Sequence, residues 1–186
     1  MLETGVRRAG RHKAETAPAW ARKVLDALRR EDVRNLVFLP DTVMGRLLAL
    51  AETDPAFRLV AVHREEEAVG ILTGLLLGGQ RGAMLIQNTG LGNSLNALAS
   101  LAMAYKIPFP LVISLRGELG EFNPAQLVMG RAVRGCLDAL GIQHFTLSRE
   151  DEVDVVMEGA LKTCFTAQEP LAILLSAQMT GWKNEK

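Results

Sequence analysis

Three glutamates in a row, Glu65-Glu66-Glu67, stand between His63-Arg64 and the apolar stretch Ala68–Leu77. Read as a helix, the stretch puts Glu65 on one face with Ala68, Val69, Leu72 and Leu76, while Glu66 and Glu67 lean away. A carboxylate aimed among apolar side chains must find a compensating partner, and desolvated acids of this kind are suited to proton chemistry. The plainer alternative is that three carboxylates in a first helical turn favour the helix dipole and do no more. His63, just ahead of the triplet, is a further candidate for contact with a substrate.

Two other stretches carry a different chemistry. Gln87-Asn88-Thr89-Gly90-Leu91-Gly92-Asn93 follows the apolar run Ala83–Ile86, as in loops whose backbone amides receive a ligand ahead of a helix. The pattern is neither GxGxxG nor a P-loop, because the third glycine and the Lys-Ser/Thr pair are missing. A ligand loop and a plain strand-to-helix turn both fit it. Residues 114–126, SLRGELGEFNPAQ, crowd Arg116, Glu118, Glu121, Asn123 and Gln126 into one loop. Arg116 could grip an acidic group in a planar fork, or it could pair with Glu118 or Glu121 and order the loop. No metal site is expected, since His12, His63 and His144 have no ligand spacing with Cys136 and Cys164. Ser94 is not in a GxSxG elbow.

All of these stretches fall at the ends of short apolar runs. Strands are expected at 35–39, 58–62, 84–87, 109–114, 142–146 and 171–175. Between them, helices are expected from Trp20 to Arg30, after Asp41 or Thr42, over 65–77, up to Tyr105, and over 126–140 and 150–167. Such alternation implies an α/β fold: a single three-layer α/β/α domain with a six-stranded, mostly parallel sheet. In a sheet of this kind ligands bind beyond the carboxyl ends of the strands, where all four chemical stretches lie. The 186 residues suit one domain, expected at 17–186 behind a flexible N-terminal extension, 1–16. Formal net charge is +0, which argues against nucleic acid or an anionic membrane as partner. No apolar run reaches the roughly 20 residues that a membrane-spanning helix needs. With two cysteines and no apolar leader, a reduced, cytoplasmic setting is expected.

LPDT at 39–42, REEEAVGILTGLLLGG at 64–79, QNTGLGNSLNALASL at 87–101 and RGELGEFNPAQLVMG at 116–130 resemble one known family. It is the pyrimidine-binding domain of thiamine diphosphate-dependent 2-oxoacid decarboxylases, in its sulfopyruvate alpha-subunit branch, with the phosphonopyruvate branch near it. The likeness runs in order from about Trp20 to Trp182. It implies that Glu65 hydrogen-bonds N1′ of the cofactor's aminopyrimidine, with Pro40, Asp41, Asn88, Thr89, Gly90, Leu91 and Gly92 around that ring. It also places Arg116, Gln126 and His63 toward the substrate, a 2-oxoacid with a second acidic group. Leu119 and Leu127-Val128 depart from the family pattern, which bears on the exact acid more than on the reaction class.

The family holds the cofactor's diphosphate through Mg2+ with a GDG motif, and none occurs here. The resemblance therefore implies a partner, a GDG-containing beta subunit, in an alpha/beta heterotetramer or larger assembly, with the chain alone inactive. Two readings from other classes compete: a flavodoxin-like module that binds an anion or nucleotide, and a scaffold subunit without chemistry. The retained Glu65 argues against the scaffold, and the missing P-loop lysine against the nucleotide.

Overall fold

Alternation along the central strands decides the layering. Met84, Ile86, Leu111, Ile113, Ala172 and Leu174 are buried to one side of the sheet, and Ala83, Leu85, Val112, Leu171, Ile173 and Leu175 to the other. A sheet apolar on both faces must be covered on both, and it is. The computed structural model describes residues 18–181; the expected extension 1–16 lies outside the described residues. The six strands are β1 (Val33–Phe38), β2 (Arg58–Ala61), β3 (Arg81–Gln87), β4 (Pro110–Ser114), β5 (His144–Leu147) and β6 (Leu171–Leu175). They pair in the order β2-β1-β3-β4-β6-β5, every pair parallel, so the sheet is wholly rather than mostly parallel.

On one face lie α1 (Ala19–Arg30), α2 (Met44–Ala51) and α6 (Val153–Ala167), which bury Trp20, Val24, Leu28, Leu47, Met157 and Leu161. The other face carries α3 (Glu65–Leu77), α4 (Asn88–Ala97) and α5 (Pro124–Leu140), through Val69, Leu72, Leu91, Val133 and Leu137. A short α7 (Ala177–Thr180) follows β6, and α4 runs on as a π-helical segment, Leu98–Met103. The chain leaves β1 to one side for β2 and returns to its other side for β3. The crevice of such a switch opens at the carboxyl ends of β1 and β3.

Most boundaries shift from the expectation by one to three residues, and two of the differences have a plain cause. β3 begins at Arg81 rather than 84, because Gly82 belongs to the sheet: a Cβ there would fall 2.5 Å from Leu72 Cδ2 and 3.0 Å from the Asn35 carbonyl. The bare backbone lets α3 lie down on the strand. The glycine-bearing stretch after Gln87 is not a loop; α4 already starts at Asn88.

Candidate functional site

The crevice between β1 and β3 is closed by the chain itself. Asp41 accepts from Gln87 Nε2 with Oδ1 (2.8 Å), and from Ser114 Oγ (2.8 Å) and the Val43 amide (3.1 Å) with Oδ2. One carboxylate thus caps the turn into α2, as the sequence suggested, and ties the ends of β3 and β4 to β1. Thr89 Oγ1 donates to Gln87 Oε1 (2.9 Å), extending the network. Asn88, fully buried, donates to the Arg116 carbonyl and accepts from the Arg116 amide, both at 3.0 Å. Its side chain acts as a short length of extra strand. Pro40 is exposed beside them.

Arg116 resolves its two sequence readings in favour of the internal pair. Its Nε and Nη2 reach Glu121 at 2.6 and 2.5 Å, with the guanidinium and carboxylate side chains 10% and 4% exposed. Glu121 also accepts from the amides of Gly117 (3.0 Å) and Asn123 (2.9 Å), and the Arg116 guanidinium holds its carboxyl well below the usual range, at about 2. Glu118 accepts instead from Arg134 Nη2, Ser176 Oγ and the Ala177 amide, which pins the loop to the end of β6. Beside it a cleft of about 340 Å³ opens at the ends of β5 and β6. Gln126 is half-buried, and its Oε1 is enclosed without a hydrogen-bond partner among the described residues.

Gly117 sets this loop. Its φ is +81°, and a Cβ would fall on the Gln126 carbonyl and within 2.9 Å of Gly130 Cα. Both obstacles are backbone and cannot swing aside. Gly117→Ala is expected to lose roughly 3 kcal/mol, combining left-handed strain with overpacking. Urea midpoints of the two proteins check it, and an unchanged midpoint would contradict this account of the crossing.

Glu65 lies at the start of α3, 8% exposed, above buried Ala68, Val69 and Leu72. Glu66 is half-buried and pairs with Arg64, while Glu67 is exposed and accepts from the His63 amide (3.1 Å), closing the first turn. The helical offsets therefore separated one inward carboxylate from two surface ones. His63 itself is exposed. Across from Glu65 stands the first part of α4. Asn93 Nδ2 donates to Glu65 Oε2 at 3.0 Å, and Gly90 leaves room for the carboxylate: a Cβ there would sit 2.5 Å from Glu65 Cγ and 2.6 Å from Oε1. The close approach that Gly90 permits is thus to Glu65, whereas a Cβ on Gly92 would stand 3.3 Å from Met129 Cε. Among the described residues, Oε1 of Glu65 has no hydrogen-bond partner, and no cluster of three His, Cys, Asp or Glu side chains could hold a metal. One oxygen held and the other open is an arrangement able to receive a proton-bearing nitrogen.

No protein-family model matches the chain. Among curated proteins, sulfopyruvate decarboxylase subunit alpha of Methanococcus maripaludis is 36% identical over 163 residues, 88% of this chain and 96% of the relative. The chain belongs to the sulfopyruvate decarboxylase alpha-subunit family. The sulfopyruvate decarboxylase of Methanosarcina acetivorans is 34% identical over 158 residues, 84% of this chain but 40% of that longer protein. A phosphonopyruvate decarboxylase of Streptomyces viridochromogenes is 36% identical over 107 residues, 57% of this chain and 27% of the relative. The alpha-subunit likeness spans Glu65, Gly90 and Asn93 within a chain-long match, so these side chains sit in the shared part of the fold. Asn93 and Ser114 were the site-edge residues whose roles the sequence did not reveal, because each role is a contact between separate elements.

Proposed function

We propose that this chain is the pyrimidine-side subunit of a thiamine diphosphate-dependent decarboxylase that converts sulfopyruvate to sulfoacetaldehyde and CO2. The observation that carries the reading is Glu65: a buried carboxylate with Oε2 held by Asn93 and Oε1 open, at the carboxyl edge of a parallel sheet. That arrangement fits the N1′ side of an aminopyrimidine. When bound, the cofactor supplies the electron sink for loss of CO2 from a 2-oxoacid. Glu65 would hold a proton at the ring nitrogen, and the apolar side chains under it keep water from competing for the carboxylate.

The diphosphate end does not fit here. The sequence has no GDG, so Mg2+ and the diphosphate are assigned to a beta-type partner, and the active assembly to an alpha/beta heteromer. The naming of the relatives as alpha subunits and the greater length of the Methanosarcina acetivorans protein support that assignment. So do the large side chains left in solvent: Leu77 is 81% exposed, Leu119 87% and Val128 64%. No helix among the described residues is long and apolar enough to cross a membrane, and a cytoplasmic setting is proposed from the cysteine usage.

For the substrate's second acidic group we retain His63 and Gln126; Arg116, held by Glu121, would order the loop that faces it. Pro40, Asp41 and Thr89 would shape the wall near the ring, their polar atoms already engaged within the chain. Co-expression with a GDG-containing partner is expected to give CO2 release from sulfopyruvate that needs both thiamine diphosphate and Mg2+, while the chain alone gives none. Turnover of phosphonopyruvate instead would move the substrate to the neighbouring branch. Activity without the cofactor would remove the proposal.

A further inference from the structure

Gly90 and Asn93 stand one turn apart on α4, on the side turned toward the start of α3, and both meet Glu65. The two do opposite things. Gly90 withholds a side chain where the carboxylate must lie; Asn93 extends one, from an exposed position, to reach Oε2 of a residue only 8% exposed. An asparagine this far inside a helix is not there for its propensity, and its side-chain donor goes to Glu65 across the gap between two helices.

A glutamate side chain has three rotatable bonds and can present either oxygen, or neither, to a neighbour. Fixing it costs conformational entropy, and that cost falls on ligand binding unless the protein has already met it. A donor on Oε2 settles the choice. It leaves Oε1, which lies against Gly90, as the oxygen without a hydrogen-bond partner among the described residues. The donor is also neutral. A lysine or arginine at that place would compete as a counter-charge for the same carboxylate, whereas an amide orients it and leaves its charge to the ligand.

We propose that Asn93 is a positioning residue: it pins Oε2 of Glu65 so that Oε1 is presented to the ring nitrogen N1′ of the pyrimidine. The inference rests on the cofactor reading above and assigns the asparagine of the GLGN segment a role toward Glu65 rather than toward a phosphate.

The test is an affinity ratio, not a rate. Calorimetry on the assembled heteromer would compare thiamine diphosphate with its analogue in which N1′ is replaced by C–H, a ligand that cannot make the Glu65 contact. The wild-type complex is expected to prefer the natural cofactor by about tenfold or more, the worth of a hydrogen bond to a charged group. Asn93→Ala is expected to shrink that preference to a few-fold, by weakening only the natural cofactor and leaving the analogue unchanged. Asn93→Leu, similar in size but without the donor, should behave likewise. Position 93 is exposed, so both variants should melt within a few degrees of wild type. Equal weakening of both ligands, or an undiminished preference, overturns the positioning role. A wild-type complex that binds the two ligands equally instead overturns the cofactor reading, and this inference with it.

Discussion

Glu65→Gln in the assembled heteromer is expected to lower kcat for decarboxylation by about 10²–10⁴-fold, the range lost when a positioned acid-base contact is removed. Glutamine keeps the length and shape of glutamate and can still accept from Asn93, so the difference lies in charge and proton affinity, not in packing. Stability should change little. Glu65 sits in the first turn of α3, where an ionised carboxylate adds ~0.3–1 kcal/mol through the helix dipole, and Glu66 and Glu67 remain to supply the same benefit. Stopped assays of CO2 release at saturating cofactor, beside melting curves, separate the two effects. A variant that turns over within a few-fold of wild type would remove Glu65 from the chemistry, whatever its burial.

The prominence of Glu65 was legible because it rests on geometry that a single helix carries. Offsets of three, four and seven residues put it over Ala68, Val69 and Leu72, all buried, and left Glu67 in solvent. The strands were legible for a similar reason: continuous apolar runs suit a sheet covered on both faces, and all six appear. What failed was the reading of glycine. Gly82 fell outside the expected strand 84–87 and is a strand residue under Leu72; Gly90 and Gly92 looked like a loop and are helical. In each case the residue is glycine because of what presses on it from another element, and no local pattern shows that. Long-range hydrogen bonds were hidden in the same way. Asn93 and Glu65 are 28 residues apart, and Ser114 and Asp41 73 apart. Arg116 lies between these cases: its pairing with a glutamate in the same loop was one of two open readings, and the choice of Glu121 over Glu118 was decided by Gly117, whose left-handed turn brings its own amide and the guanidinium to the same carboxylate.

Gly90→Ala should separate catalysis from stability without altering Glu65 itself. The new methyl would lie 2.5 Å from Glu65 Cγ, 2.6 Å from Oε1 and 2.8 Å from Cδ. These are atoms of a flexible side chain, not of backbone, so the clash is relieved by swinging the carboxylate away rather than by moving a helix. The energetic account is nearly balanced. Losing the Asn93 hydrogen bond costs about 1 kcal/mol, while alanine in place of a helical glycine returns up to about 1 kcal/mol. Unfolding free energy should therefore stay within about 1 kcal/mol of wild type. Catalysis has no such offset, because a displacement of about 1 Å at a reacting group can cost 10²-fold in rate, and the swing required here is of that size. Turnover of the Gly90→Ala heteromer is expected to fall at least about 100-fold, approaching Glu65→Gln. Gly92→Ala is the matched control two residues on. Its methyl meets only the end of the Met129 side chain, at 3.3 Å, which can yield, so turnover should remain near wild type. Equal losses in the two alanine variants would mean that α4 tolerates no side chain along this stretch for reasons of folding or assembly. Full activity in Gly90→Ala would mean that the position of the Glu65 carboxylate seen here is not the one that works.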